Sequence, residues 1–105
     1  MEKYNVIISE DAINLLDSHA EFMARVNKNA ARKLVDSVLE DIESLSELPE
    51  RCPVYDNEFV PRGRYRQFLS CKRYLIIFEI ADATVYVDFI LDCRKDNNEF
   101  GIQSQ

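Results

Sequence analysis

The fold of this chain is decided by the stretch from Tyr65 to Asp92, which reads "YRQFLSCKRYLIIFEIADATVYVDFILD". Its β-branched and aromatic residues fall into three runs, which are separated by "CKR" and by "DA". Runs of this kind with short polar breaks are typical of β-strands joined by tight turns. We therefore predict an antiparallel meander of three strands, Tyr65–Ser70, Tyr74–Ala81 and Thr84–Asp92.

The middle and last runs differ in their patterns. The middle run, "YLIIFEIA", is almost continuously apolar, which is typical of a strand that is covered on both faces. The last run sets Val85, Val87, Phe89 and Leu91 against more polar residues, with Ile90 as the exception. Because side chains alternate along a strand, we expect those four residues to share one face and the other face to be largely wet.

Upstream of the meander, apolar residues recur at helical spacing in two segments. Ser9 precedes the first segment as a helix cap, "NKN" at Asn27–Asn29 separates the two, and Pro49 ends the second. A short β-prone run, Tyr4–Ser9, leads into the first helix. The short break makes the two helices antiparallel neighbours whose apolar stripes need a sheet to cover.

These elements predict one α+β domain over residues 1–105, with the order β-α-α-β-β-β. An antiparallel two-helix hairpin packs on one face of a small antiparallel β-sheet, and the N-terminal strand adds an edge to that sheet. A chain of 105 residues is long enough for one compact core and too short for two.

Composition excludes several functional classes. No segment approaches the run of about 18 apolar residues that a membrane helix needs, and the N-terminus lacks the apolar region of a secretory signal, so we expect a cytoplasmic protein without a membrane partner. Cys52, Cys71 and Cys93 are odd in number and far apart, which favours reduced thiols. His19, the single histidine, lies in a predicted helix, where we expect a surface or boundary residue. We predict no metal and no cofactor.

The charges of the chain are unevenly distributed. The formal net charge is −6; residues 1–60 carry 13 Asp or Glu against 6 Lys or Arg, whereas residues 61–105 carry 6 against 7. Basic residues gather in Pro61–Phe78, which holds no acidic residue. We expect them to converge with those after the last strand as a concave basic patch on the side of the sheet opposite the helices. This patch would contain Arg62, Arg64, Arg66, Lys72, Arg73, Arg94 and Lys95, with Tyr65, Tyr86 and Phe100 as aromatic neighbours.

Such a patch permits two interpretations. Arginines that bind phosphate and aromatic residues that stack on bases are typical of a nucleic-acid interface. Alternatively, the arginines merely keep an edge strand soluble. The pI of about 4.7 weakens the first interpretation until the two are about equal, because nucleic-acid binders usually show an overall basic field. Charge alone leaves both open.

Several motifs follow one another along the chain: a strand, a helical hairpin, a helix end that reads "LPERCP", a "YR" that opens the meander, the strand "YLIIF" and the tail "ILDCRKD". In this order and spacing they resemble the RelE/ParE superfamily of toxins from type II toxin–antitoxin modules. The resemblance implies a bacterial toxin that a cognate antitoxin wraps and neutralises, with a higher-order toxin–antitoxin oligomer as one form of the complex.

The superfamily resemblance implies one of two modes of action. RelE-like members cut messenger RNA on the ribosome with basic side chains, often helped by a histidine or a C-terminal tyrosine, whereas ParE-like members bind DNA gyrase and cut nothing. Residue by residue, Arg66 matches the arginine of the "YR" position, Arg94 matches the arginine after the last strand, and Lys95 matches its basic neighbour.

The chain departs from the RNA-cleaving pattern at three positions. Where those relatives often carry arginine, histidine and tyrosine, this chain has Leu75, Asp92 and Phe100. Strand alternation would put Arg73 on the same face as Leu75, which occupies the position where RNA-cleaving relatives often carry arginine. Arg73 lies two residues earlier, so its charge would start about 6.6 Å along the strand from that position. Losing the histidine and the tyrosine removes two proton-transfer groups, and such groups typically contribute about two to four orders of magnitude in rate.

We therefore expect a ParE-like toxin that binds an essential target of the gyrase type through a basic sheet surface, to which the antitoxin presents acidic residues. The target-binding or phosphate-binding residues would be Arg62, Arg64, Arg66, Lys72, Arg94 and Phe100. The alternative is a metal-independent, ribosome-dependent messenger-RNA endonuclease. Its catalytic residues would be Arg66, Arg73, Arg94 and Lys95. A second alternative is a non-toxic member that acts as a binding module.

Overall fold

The computed structural model describes residues 3–93. Its helices and strands are β1 (Asn5–Ile8), α1 (Glu10–Ala24), α2 (Lys28–Glu43), β2 (Val54–Tyr55), β3 (Tyr65–Ser70), β4 (Tyr74–Ala81) and β5 (Thr84–Asp92). The predicted α+β class is confirmed, and so are the bounds of the three meander strands.

Within residues 3–93 the strands form one mixed sheet in the order β1-β5-β4-β3-β2. The pairs β2–β3, β3–β4 and β4–β5 are antiparallel, as predicted for the meander. Strand β1 forms an edge of the sheet and runs parallel to β5. A parallel neighbour needs a long connection, and the helical hairpin begins that connection here. Strand β2 has two residues, which are too few for a sequence pattern to predict.

Helix α1 begins after its predicted cap, Ser9, and helix α2 is capped by Asn27, the first residue of the predicted break. The Ser9 hydroxyl accepts a hydrogen bond from the backbone N–H of Ala12, and the Asn27 side chain accepts one from the backbone N–H of Ala30, each at 3.0 Å. These bonds satisfy N–H groups that have no partner inside the first helical turn.

Helix α2 ends earlier than predicted. After Glu43 the chain enters two 3₁₀ turns, Ser44–Ser46 and Pro49–Arg51. Leu48 between them has a left-handed φ of 50°, and Pro49 begins the second turn directly after it. Arg51 closes this corner by donating hydrogen bonds to the carbonyl oxygens of Glu47 and Leu48.

The helices pack on one face of the sheet, which we call the helix face; the opposite side is the open face. The buried core on the helix face comprises Ala12, Leu16, Val38, Ile42, Leu45, Cys52, Tyr74, Ile76, Phe78, Val85, Val87 and Ile90. Since side chains alternate across a strand, their neighbours point to the open face. Cross-strand rows there are Leu69–Leu75–Leu91, Gln67–Ile77–Phe89 and Glu79–Tyr86–Ile7.

A β-bulge changes which residues of β5 contact the core. The register between β4 and β5 shifts in the middle of the pair. Val85 and Val87 lie on the helix face and are followed there by Ile90, so Phe89 and Leu91 lie on the open face. The prediction of one common face for the alternating residues is therefore wrong beyond Val87, because the extra residue of a bulge reverses the alternation.

A buried hydrogen bond joins the helix hairpin to the meander. Ser70 at the end of β3 is fully buried, and its hydroxyl donates to Oδ2 of Asp41 on α2 at 2.6 Å. We expect Ser70→Ala to lower the free energy of unfolding by about 1–2 kcal/mol, because the bond to a carboxylate is lost. Chemical denaturation measures the change. Ser18→Ala on the exposed side of α1 is the matched control, with an expected change within about 0.5 kcal/mol. Equal effects of the two substitutions would show that the bond contributes nothing.

Candidate functional site

The basic residues of the meander lie at the two ends of β3. Arg62 and Arg64 precede the strand, whereas Lys72 and Arg73 follow it in the turn to β4. The six residues of β3 span about 17 Å. The described residues therefore do not form the single concave basic patch that the sequence predicts.

Arg66 lies on the helix face and binds backbone. Its Nη1 donates to the carbonyl oxygen of Cys52 at 2.6 Å and to that of Glu50 at 3.3 Å. It pairs across the sheet with Phe78, a fully buried core residue. This guanidinium thus holds the loop after α2 against the sheet, on the side opposite to the predicted binding surface.

Arg64 and Arg62 lie near acidic groups. Arg64 Nε donates to Glu79 Oε1 at 3.0 Å, and this hydrogen bond raises the pKa of Arg64. Arg62 is exposed in the loop before β3, where it lines a shallow depression with Asp56 and Glu58. Nearby carboxylates reduce the positive field of both arginines.

Arg73 is held by Asp92 at the opposite end of the sheet. Its Nη2 lies 3.1 Å from Asp92 Oδ2 and its Nε lies 3.4 Å from Asp92 Oδ1, and this contact raises the pKa of Arg73. The guanidinium also lies 5.1 Å from the ring centroid of Tyr74. Arg73 contacts Met23 of α1, so it points to the helix face and not, as predicted, to the face of Leu75.

The turn before β4 explains this orientation. Cys71 and Lys72 both have positive φ values, 56° and 57°, and β4 begins after Arg73. Strand alternation does not apply inside such a turn, so the sequence pattern assigned Arg73 to the wrong face. Lys72 is exposed at the tip of the turn.

His19 joins this end of the sheet, and the sequence analysis missed it as a site residue. His19 Nδ1 lies 3.9 Å from Asp92 Oδ2, and its ring centroid lies 5.3 Å from that of Tyr74. His19, Phe22, Arg73 and Asp92 line a cavity of about 370 Å³, which we call the α1–β5 pocket. The spacing Ala12–Leu16–His19 was the available signal, because it places the imidazole on the helix stripe that faces the sheet.

Three predicted site residues, Arg94, Lys95 and Phe100, lie outside the described residues. Arg94 and Lys95 follow Cys93 directly in the sequence. The backbone N–H of Cys93 donates to the carbonyl oxygen of Arg73 at 2.8 Å. The functional roles assigned to these three residues stay predictions.

The open face is apolar and acidic. Ile7, Leu69, Tyr86 and Phe89 expose 50%, 52%, 37% and 40% of their surface. Tyr65 stacks at a tilt on Phe89, with ring centroids 6.1 Å apart. The predicted aromatic neighbours Tyr65 and Tyr86 thus do lie on this face, although the predicted basic patch does not.

Two carboxylates lie together on the open face. Burial raises the pKa of Asp88, and the neighbouring Glu79 raises it further. Burial also raises the pKa of Tyr65, with Asp88 and Glu79 adding to the effect. Arg64, which is bound to Glu79, supplies a positive charge beside these two carboxylates.

Within residues 3–93, no group of three or more His, Cys, Asp or Glu side chains is arranged to hold a metal ion. Cys52, Cys71 and Cys93 are free thiols, as predicted, and burial raises the pKa of Cys52. In the same part of the chain, no helix is long and apolar enough to cross a membrane.

This fold and these sequence features are those of a toxin of the RelE/ParE superfamily. Residues 6–97 match the family model described as the ParE toxin of type II toxin–antitoxin system, parDE, so the chain belongs to the ParE toxin family. The predicted superfamily and the class of type II toxin are thereby confirmed.

One solved structure similar to the chain is described as the chromosomal ParDE TA system from P. aeruginosa. The TM-score is 0.72 and the sequence identity is 15%; the match covers 86% of this chain and 96% of that chain. At this identity the likeness shows the fold alone. No curated protein matches the chain.

The Arg73–Asp92 pair is expected to contribute more to stability than the Arg64–Glu79 pair. Asp92 is 9% exposed, and Arg73→Gln would leave its carboxylate without this cation, so we expect a loss of about 1–3 kcal/mol in the free energy of unfolding. Arg64→Gln is the matched control at a solvent-exposed arginine, where water screens the ion pair and we expect a smaller loss. Urea denaturation of both variants measures the difference, and a larger loss for Arg64→Gln would contradict this ranking.

The raised pKa of Asp88 predicts a stability that depends on pH. A carboxyl with a raised pKa in the folded state destabilises the fold while it is charged. This destabilisation is present at pH 7 and disappears as the pH falls through the folded pKa towards the ordinary aspartate pKa of about 4. We expect Asp88→Asn to stabilise the protein at pH 7, by less than about 1 kcal/mol, and the gain to shrink at pH 4. Thermal unfolding at both pH values measures it. Asp17→Asn on the exposed side of α1 should give no such gain; a gain that does not change with pH would argue against the Asp88 carboxylate as its cause.

Proposed function

We propose that this toxin inhibits growth by binding an essential protein target of the gyrase type and that a cognate antitoxin neutralises it. The observation that carries the proposal is the match of residues 6–97 to the ParE toxin family, together with the ParE-like strand "YLIIF". Both the target and the antitoxin are intracellular partners, so the proposal includes a cytoplasmic location.

The positions of the arginines support binding over RNA cleavage. An endonuclease of the RelE type needs several cations on one phosphate. Arg66 pairs with Phe78 in the middle of β4, whereas Arg73 lies in the turn directly before β4, five residues from Phe78 and about 17 Å away if the chain is extended. Arg66 is bound to carbonyl oxygens and Arg73 to Asp92, so the two do not converge on one phosphate.

A second candidate function, the ribosome-dependent endonuclease, draws support from one observation. His19 lies beside Arg73 and Asp92 in the α1–β5 pocket, so an imidazole is present where the sequence alone offered no proton-transfer group. Arg94 and Lys95 directly follow the strand that carries Asp92 and are the remaining candidate cations. In this alternative, His19 would transfer the proton.

Two assays on the purified toxin and on induced cells separate these functions. If the proposal holds, a several-fold molar excess of toxin inhibits supercoiling by gyrase, and primer extension on translated messages shows no new ends. New ends that disappear with His19→Ala or Arg94→Ala would instead establish the endonuclease. Neither effect, combined with normal growth on induction, would identify a non-toxic binding module.

The growth phenotype has its own control. We expect the cognate antitoxin to be a small protein encoded by the neighbouring reading frame. Induction of the chain alone should arrest growth, and co-expression of that neighbouring protein should restore growth. Arg64→Gln is expected to keep full toxicity, since Arg64 is paired with Glu79 in this chain. Arrest that the neighbouring protein does not relieve would refute neutralisation by that protein.

A further inference from the structure

The basic stretch Pro61–Phe78 has a counterpart in the first half of the chain, where acidic residues otherwise prevail. Residues 22–35 hold four of the six Lys or Arg residues found in residues 1–60, and they hold no Asp or Glu. The structure places the start of this stretch at the turn between α1 and α2, where Arg25 and Lys28 are exposed. Positive charge is thus concentrated at the tip of the helix hairpin, on a chain of net charge −6.

The tip of the helix hairpin meets the turn between β3 and β4. Met23 Sδ lies 3.9 Å from Arg73 Nη1, and the backbone N–H groups of Val26 and Asn27 donate back to the carbonyl oxygen of Met23. Lys72 precedes Arg73 and is exposed. The two basic stretches therefore converge at this end of the molecule, which we call the basic end. Its residues are Phe22, Arg25, Val26, Lys28, Lys72 and Arg73.

Most cations of the basic end can pair with a partner. Among residues 3–93, none of Arg25, Lys28 and Lys72 forms an ion pair. Arg73 differs, because its guanidinium is bound to Asp92. Exposed cations without a carboxylate of their own chain attract acidic groups and speed the encounter with them.

Apolar side chains form the centre of the basic end. Phe22 in the last turn of α1 and Val26 in the turn that follows expose 66% and 89% of their surface. The nearby carboxylates of α1, Asp17 and Glu21, lie about 100° to 140° around the helix axis from Phe22. An apolar centre with a charged rim is the usual anatomy of a protein–protein interface. The basic end therefore has the composition of a surface that binds protein.

The α1–β5 pocket opens beside this apolar centre, and Phe22 is one of its walls. Its volume of about 370 Å³ is near the lower limit of the roughly 300–1,000 Å³ typical of ligand pockets, so it has room for one large side chain. Asp92 also lines the pocket, and a carboxylate accepts several hydrogen bonds. A Tyr or Trp side chain fits both features, because its ring packs on Phe22 while its O–H or N–H donates to Asp92.

We propose that the basic end binds an acidic segment of the toxin's protein target. A Tyr or Trp of that segment enters the α1–β5 pocket, and neighbouring Asp or Glu residues pair with Arg25, Lys28 and Lys72. This inference rests on the proposed function, since it names the surface that grips the target. It places the contact at the end of the sheet that carries Arg73.

Other occupants fit the basic end less well. A second copy related by two-fold symmetry would bring the same cations against one another. Single-stranded nucleic acid binds along a series of aromatic side chains on which its bases stack. The basic end offers Phe22 for stacking, but Val26, its most exposed apolar residue, is aliphatic. A protein segment uses both side chains.

The first probe is purified DNA gyrase, and its affinity for the full-length toxin is measured by titration calorimetry. We expect Phe22→Ala to weaken binding by at least about 30-fold, as at the centre of an interface. Lys28→Glu should weaken it about tenfold and reduce its salt dependence. The matched controls are Phe59→Ala and Arg62→Glu, which are exposed in the loop before β3, at the opposite end of that strand, and should change the affinity less than about twofold. Circular dichroism checks that each variant is folded.

The second probe is the peptide "EEYEE", which tests the chemistry without gyrase. His19 is the single histidine and lines the α1–β5 pocket, so its imidazole signals in NMR spectra report on this pocket. We expect the peptide to shift these signals with a dissociation constant on the order of 1 mM. The peptides "EEAEE" and "KKYKK" should bind at least about tenfold more weakly, because each lacks one of the two required groups. A decamer of uridylate tests nucleic acid in the same way.

The outcomes separate the basic end from the proposed function. If gyrase binds Phe22→Ala and Lys28→Glu as tightly as the wild type, the proposed function stands and the basic end is overturned as the target surface. If gyrase does not bind but "EEYEE" shifts the His19 signals in a way that depends on Phe22 and Lys28, the gyrase-type target fails and the surface stands. Absence of both responses overturns both.

Two further results would contradict the chemistry assigned to the partner. Tighter binding of the uridylate decamer than of "EEYEE" would assign the basic end to nucleic acid and overturn the inference. Gyrase binding that depends on Phe22 and Lys28, with no response of His19 to "EEYEE", would overturn the acidic aromatic segment as the occupant.

Discussion

Strand β4 lies at the centre of the sheet, and it buries side chains on both faces. Tyr74, Ile76 and Phe78 are fully buried under the helices, and Ile77 is fully buried on the open face. Burial of apolar surface is the dominant favourable term in folding, so the other elements are placed by what they contribute to covering this strand. The helices cover one side, while β3 and β5 occupy the two edges of β4. The arginines that flank β3 are therefore held about one strand length apart.

The chain uses several of its cations internally. Arg66 binds the carbonyl oxygens of the loop after α2, Arg73 binds Asp92, and Arg64 binds Glu79. A guanidinium that is bound to a carboxylate of its own chain contributes little field to a partner. Within residues 3–93, the basic stretch of the sequence therefore does not become a continuous basic surface.

The two ends of the sheet differ in chemistry. At one end Arg73, Asp92 and His19 form a partly buried polar cluster beside Phe22, next to the point where the chain continues towards Arg94 and Lys95. On the open face the surface is apolar with a carboxylate pair. The described residues therefore present two chemically distinct surfaces.

The sequence by itself determined the class of fold, the bounds of β3, β4 and β5, and the N-terminal cap of α1, because apolar periodicity and capping are local properties. The motif order also identified the superfamily. Only the tertiary structure decided the parallel pairing of β1, the bulge that turns Phe89 to the open face, and the approach of His19 to Asp92. It also decided which partner each arginine takes, because those partners lie 14 to 19 residues away along the chain and are brought close by the packing of β4. Charge pairing depends on distance in space, which no local pattern contains.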